Sequence, residues 1–180
     1  MYMKLSAKDA LKESLMDLCK KKSIDKITVG QIAENCGFSR KSFYNNFDSK
    51  FDLCLYIFKT ETDRIIDDYK SSESWASVLG RIYRFMYDNR YLFGKSCNSN
   101  DMELLRSGMI SFVDQYYLDA FEKLHGADNL TDEFRFLSKY NSYGATNIII
   151  DWIKNDWKES PEEIGALLAE AMPSQLIDET

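Results

Sequence analysis

Proline is nearly missing from this chain: there are 2 in 180 residues, and only 8 glycines beside them. Few helix breakers and no stretch of period-two alternation exclude a β-sandwich or barrel and leave an all-helical chain. Histidine is scarcer still, with His125 alone. Cysteine is thin and scattered over Cys19, Cys36, Cys54 and Cys97, with no CxxC pair. That spacing excludes a zinc site or a disulfide framework, so the thiols are expected to be buried or idle. No apolar run of about 18 residues and no leader pattern is present, which leaves no membrane segment and an expected cytoplasmic protein. A single histidine, no glycine-rich phosphate loop and no paired ligands leave nothing for catalysis, a metal or a cofactor. No enzyme is expected.

What is abundant is apolar and aromatic mass, 44% and 14% of the residues, enough for a packed core rather than disorder. The charge is unevenly placed. Residues 1–50 carry ten Lys/Arg against six Asp/Glu, net +4, while residues 51–180 carry thirteen against twenty-three, net −10. A basic head on an acidic body points to a polyanionic partner for the head alone.

Apolar spacings of three and four mark the helices. Ser6 with Asp9 caps a first helix faced by Leu11, Leu15 and Leu18 and ending near Lys22. A long helix is expected over residues 50–70, broken by "KSSES". Another starts at Trp75, and one runs from Asn98–Asn100 to Gly126. The next runs from Thr131 to about Lys158, and the last, opened by the capping box of Ser160 and Glu163 with Pro161 at its first position, reaches Met172. The expected division is a head of residues 1–50, joined through the 50–70 helix to a body of residues 51–180.

The head contains "TVGQIAENCGFSRKSFYNNFDSK", residues 28–50. Thr28 and Gln31 form a capping box, and Gly37 can take the left-handed conformation that stops a short helix. Ser39 caps a second. Two short helices around a glycine turn make a helix-turn-helix, with Ile32, Ala33, Cys36, Phe38, Phe43 and Phe47 filling its inside corner. Arg40, Lys41, Ser42, Tyr44, Asn45 and Asn46 remain outside. The second helix of such a motif meets base edges in the major groove, where Arg suits guanine and Asn suits adenine. Thr28 stands at a helix start that favours a phosphate. Lys50 opposes the next helix dipole by some tenths of a kcal/mol unless an anion lies near.

These residues resemble the DNA-binding domain of the TetR/AcrR family of bacterial regulators. The family run T-hydrophobic-x-x-I-A-x-x-x-G-V-S-x-x-x-F/L-Y-x-x-F-x-x-K is met by Thr28, Val29, Ile32, Ala33, Gly37, Phe38, Ser39, Phe43, Tyr44, Phe47 and Lys50. The resemblance implies that Thr28, Tyr44 and Lys50 hold phosphates. It turns Ser39, Arg40, Lys41, Ser42, Asn45 and Asn46 to the groove of a palindromic duplex. The chain departs from the family at Gly30, where many members carry a polar or basic residue, and at Asn46, where histidine is common.

The resemblance extends to the segment from Tyr140 to Ala171, similar to the last two helices of such proteins, which pair with a second copy as a four-helix bundle. Tyr140, Tyr143, Gly144, Asn147, Ile148, Trp152, Ile164 and Leu168 are the expected dimer interface. Glycine in a helix costs up to about 1 kcal/mol against alanine but permits close helix approach. Tyr83, Met86, Tyr87, Phe93, Met102, Met109, Phe112, Tyr116 and Trp152 are candidates to line an apolar effector pocket. The resulting expectation is a homodimeric, nucleoid-associated repressor released from DNA by a small apolar ligand. The alternative is a coactivator of the same fold that acts through a partner protein.

Overall fold

The computed structural model describes residues 6–69, 72–94 and 99–176, apart from the side chains of 99–102. Among these residues there are nine α-helices and no strand. They are α1 (Ala7–Cys19), α2 (Val29–Asn35), α3 (Arg40–Tyr44), α4 (Lys50–Asp67), α5 (Trp75–Asp88), α6 (Arg90–Phe93), α7 (Ser99–His125), α8 (Asp132–Lys154) and α9 (Pro161–Glu170). Three 3₁₀ turns, at Ile24–Lys26, Ala127–Asn129 and Ser174–Leu176, join or follow them. The all-α expectation holds. Lys70 and Ser71 of the expected break, and Cys97, lie outside the described residues.

Two compact units result: Met1–Arg64 with Phe85–Leu105, and Ile65–Arg84 with Arg106–Thr180. This differs from a division at residue 50, because packing rather than charge decides where a unit ends. In the first unit α6 brings Leu92 and Phe93 into the core, both essentially unexposed. The Cys54 thiol donates to the Leu92 carbonyl at 3.6 Å, and Phe93 meets Phe58 edge to face at 6.4 Å. Apolar spacing does not mark α6, because four residues make a single helical turn.

The first unit is assembled on α1. The Ser6 hydroxyl accepts from the Asp9 amide at 3.1 Å, and Leu11 and Leu15 on the inner face are fully buried. Ser14, also buried, donates to the Ile32 carbonyl at 2.7 Å and accepts from the Asn35 amide group at 3.1 Å, which ties α1 to α2. Lys12 and Glu61 pair at 2.7 Å and tie α1 to α4.

In the second unit α7 and α8 share the cluster of Tyr117, Phe121 and Phe134, closed by Leu176. Expected to reach about Lys158, α8 stops at Lys154. Asp156 and Trp157 turn left-handed there (φ 63° and 55°), and the Trp157 amide donates back to the Trp152 carbonyl at 2.9 Å. This is a Schellman closure, with the two indole rings 4.6 Å apart as its hydrophobic contact. The Ser160–Glu163 capping box then starts α9 with Pro161 at its head.

The α5 and α9 backbones touch where Gly165 meets Gly80. A Cβ on Gly165 would lie 2.5 Å from the Gly80 nitrogen and 3.1 Å from the Ala76 carbonyl oxygen. Arg84 grips Glu162 with two nitrogens beside this crossing, the shorter contacts being 2.6 Å and 2.9 Å. Gly165→Ala is therefore expected to destabilise the protein by about 1–3 kcal/mol, the usual scale of overpacking against rigid backbone. Gly80→Ala, whose Cβ would meet Glu162 Cα at 3.7 Å, is expected to leave stability within about 1 kcal/mol of the parent. Urea denaturation of the two variants separates these outcomes.

Candidate nucleic-acid interface

Two capped helices and a glycine turn build the motif. The capping box of α2 closes in both directions: the Gln31 amide donates to Thr28 Oγ1 at 3.2 Å, and the Thr28 amide to Gln31 Oε1 at 3.1 Å. At the far end Phe38 N–H reaches the Ala33 carbonyl at 2.8 Å and Gly37 N–H the Glu34 carbonyl at 3.0 Å. Gly37 stands at φ 76°, which an L side chain rarely adopts. Ser39 then accepts the Ser42 amide at 3.1 Å and starts α3. Ile32, Ala33, Phe43 and Phe47 are buried in the corner, while Cys36 and Phe38 are half-buried at its edge.

The outer surface separates into two kinds of side chain. Arg40, Lys41, Tyr44 and Asn45 are exposed, and among the described residues none of them has a side-chain hydrogen bond within the chain. The Tyr44 ring leans edge-on against Phe43 at 5.5 Å with half of the residue's surface open to solvent. Ser42 and Asn46, also expected to face the groove, are half-buried and engaged. The Ser42 hydroxyl lies 3.0 Å from that of Ser39, and Asn46 Nδ2 donates to the Ser42 carbonyl at 2.8 Å. These two hold α3 in shape. Thr28 and Ser39 are exposed caps whose hydroxyl oxygens already accept one amide each.

Lys50 corrects the expectation. Instead of projecting towards a phosphate, its ammonium donates to three carbonyls, those of Ile24 (2.8 Å), Ile27 (3.0 Å) and Asp25 (3.2 Å). An ammonium has three N–H groups, and here all are used. The carbonyl ends of the 3₁₀ turn supply the negative potential that a cation at the start of α4 requires, so no external anion is called for. The charge also pulls against burial at Cys19, where burial nevertheless pushes the thiol up to about 12. That thiol stays protonated and unreactive.

The expected dimer interface divides. Tyr140, Tyr143, Gly144, Asn147 and Ile148 are exposed on α8, Tyr140 to 69%. Trp152, Ile164 and Leu168 are not available to a partner, because each is buried within its own chain. The Trp152 indole N–H donates to the Glu159 carbonyl at 2.9 Å and its ring meets Tyr83 edge to face at 6.2 Å. Apolar spacing cannot say which of two apolar faces turns inward. It also missed Phe136, exposed to 70%, and Leu167, exposed to 59%. With Phe136 included, α8 shows Phe136, Tyr140, Tyr143 and Asn147 at steps of four, three and four, one outward stripe.

The candidate effector residues are distributed over both units. Met86, Tyr87 and Phe93 belong to the first, and Tyr83, Met109, Phe112, Tyr116 and Trp152 to the second. Tyr83, Met86, Phe93, Met109 and Trp152 are buried, and Tyr87, Phe112 and Tyr116 half-buried. The side chain of Met102 lies outside the described residues. Burial pushes the Tyr83 phenol far above its ordinary range and that of Tyr117 to about 12, so both stay neutral hydrogen-bonding groups. Among the described residues no helix is long and apolar enough to cross a membrane, and no group of three or more His, Cys, Asp or Glu is placed to hold a metal.

Residues 13–57 match the family profile described as bacterial regulatory proteins, tetR family, and residues 73–174 match a transcriptional regulator C-terminal region. An HTH-type transcriptional regulator of Staphylococcus aureus strain USA300 is 25% identical over 121 residues, 62% of this chain and 65% of that protein. Its counterpart in the bovine strain RF122 is 26% identical over the same length. The chain thus spans 65% of the length of these curated relatives. Among solved structures, a TetR transcriptional regulator from Rhodococcus sp. RHA1 superposes with a TM-score of 0.65 at 16% identity, covering 97% of this chain and 98% of that one. The dihydroxyacetone kinase operon activator DhaS does so at 0.56 and 18%, covering 94% and 96%. RolR without ligand gives 0.60 and 14%, covering 90% and 88%. At such identities the likeness concerns the fold.

Lys50→Met is expected to lower stability by about 2 kcal/mol or more, since a hydrogen bond to a charged group contributes about 1.5–3 kcal/mol and buried carbonyls lose their partner. Lys41→Met, with no bond to lose, is expected to change stability by less than about 0.5 kcal/mol. Thermal melts of both variants at one salt concentration check the contrast. Equal effects would return Lys50 to the role of a free surface cation.

Proposed function

The chain belongs to the TetR family of transcriptional regulators, and on that premise we propose that it is a homodimeric repressor of a palindromic operator, released by a small apolar effector. The observation that carries the reading is the set of exposed side chains on α3 and its C-cap that make no hydrogen bond within the chain among the described residues, namely Arg40, Lys41, Tyr44 and Asn45, within a head of net charge +4. Side chains that the fold does not use are free to bind. Arg40 offers two donors to guanine and Asn45 a donor and acceptor to adenine. Tyr44 and Thr28 present hydroxyl protons to phosphates, Thr28 because its oxygen already accepts the Gln31 amide. Lys41 adds positive potential. Lys50 acts on DNA through its charge and through the turn it holds.

The outward α8 stripe supports the dimer. Phe136, Tyr140, Tyr143 and Ile148 on α8 and Leu167 on α9 are large apolar side chains left in solvent, the kind of surface that marks a protein–protein contact. Pairing these stripes joins two heads in one molecule, and half-sites about 34–36 Å apart lie on successive major grooves. An effector that favours another head spacing needs a coupling of about 1–3 kcal/mol to switch binding. Such a regulator works in the cytoplasm on the nucleoid, and its family members are regulators rather than enzymes.

A second reading is a coactivator that reaches DNA through a partner protein. It is favoured by the acidic body and by the fold shared with a protein named as an operon activator. Mobility shift on DNA flanking the protein's own gene separates the two. The repressor shifts that DNA alone, with log affinity falling by about 0.9 per neutralised phosphate as log salt rises. The coactivator shifts it only when the second protein is added.

Three substitutions give the residue-level outcomes. Tyr44→Phe is expected to weaken binding equally on all sequences, and Arg40→Ala to cost about 1–3 kcal/mol and relax preference at one base pair per half-site. Tyr140→Glu is expected to yield a folded monomer by sedimentation, with specific binding reduced by at least about tenfold because one head alone makes half the contacts. A Tyr140→Glu protein that remains a dimer would remove α8 from the interface.

A further inference from the structure

Gly30 lies in the first turn of α2 with a half-buried backbone, at a position where glycine is, proline aside, the least favourable helix residue. Its backbone does not require glycine, since positive φ among the described glycines is confined to Gly37, Gly94 and Gly126. What distinguishes the position is the neighbour above it. A Cβ built on Gly30 would stand 3.7 Å from Thr28 Oγ1 and 3.8 Å from Arg40 Cδ. The stem of Arg40, rising from α3, therefore passes over α2 at the one residue without a side chain. Of the two neighbours, Thr28 is held by both bonds of the capping box. Arg40 is exposed and has no hydrogen-bond partner within the chain among the described residues. A side chain longer than alanine at position 30 that extends towards α3 would meet the Arg40 stem, and of the two neighbours Arg40 is the freer to move.

We propose that position 30 is specificity-determining: a side chain no larger than a methyl there leaves the Arg40 stem its path over α2 and so sets the line along which the guanidinium reaches a base edge. The inference rests on the reading of α3 as the recognition helix. Position 30 touches no base itself. It acts through Arg40, so its effect falls on the base pair that Arg40 reads and on no other.

The test is selection of preferred sites from a randomised duplex pool with the parent, Gly30→Ala, Gly30→Gln, Gly30→Met, Arg40→Ala and the double variant Gly30→Gln/Arg40→Ala. Circular dichroism confirms that each is folded, and Gly30→Met stands in should Gly30→Gln fold poorly. Gly30→Ala, for which both distances are ordinary contacts, is expected to keep the parent's preference. Gly30→Gln and Gly30→Met are expected to lose about tenfold discrimination at the base pair relaxed by Arg40→Ala, the scale of one bidentate base contact. In the double variant no further loss is expected, because the two changes remove one interaction. Retained discrimination in both long variants, loss at a different base pair, or full additivity in the double variant would overturn the proposal. A parent that selects no sequence would instead bring down the reading of the head, and this inference with it.

Discussion

One ammonium group pins both ends of the helix-turn-helix. The 3₁₀ turn at Ile24–Lys26 precedes α2, and Lys50 follows α3 as the first residue of α4. The bonds from Lys50 to the carbonyls of Ile24, Asp25 and Ile27 close a loop around everything between them. The entropy of closing a loop of this length is modest and grows only slowly with size, so a few charge-assisted bonds suffice to hold it. Ile24 and Ile27 are buried beside the bonds, which keeps water from competing for the carbonyls.

Within that closure α3 has supports of its own. A helix of five residues has almost no stability of its own, because the nucleation cost is never recovered by propagation. Here it is held from three sides: by its Ser39 cap, by the Schellman turn at Gly37, and by Phe43 in the buried corner. With the backbone held by these groups, the polar ends of Arg40, Lys41, Tyr44 and Asn45 make no hydrogen bond within the fold among the described residues. The division of labour is sharp even between neighbouring side chains, since those of Ser42 and Asn46 bond to α3 and its cap while Asn45 contributes only its backbone N–H, to the Lys41 carbonyl.

The second unit solves a different problem. Close approach of α5 and α9 at Gly80 and Gly165 and the indole pair at the end of α8 draw Trp152, Ile164 and Leu168 inward. The opposite side of α8 is left with Phe136, Tyr140, Tyr143 and Ile148 in solvent. Burying one apolar face of a helix with two such faces forces the other outward. Which face remains is a consequence of how tightly the glycines let α9 and α5 meet.

The linear pattern by itself determined the helical class, the caps at Ser6, Thr28, Ser39, Thr131 and Ser160, and the glycine turn, because each depends on residues three or four apart. For the same reason it marked the α3 surface and its cations. What only the tertiary structure decided were the matters of long range. Lys50 bonds across more than twenty residues, α6 joins the core of the first unit through Leu92 and Phe93, and Trp152 is inside while Phe136 is outside. Periodicity reports that a helix has an apolar face and a cation has a charge. Partner choice for either depends on backbone groups brought close by folding, which no local spacing encodes.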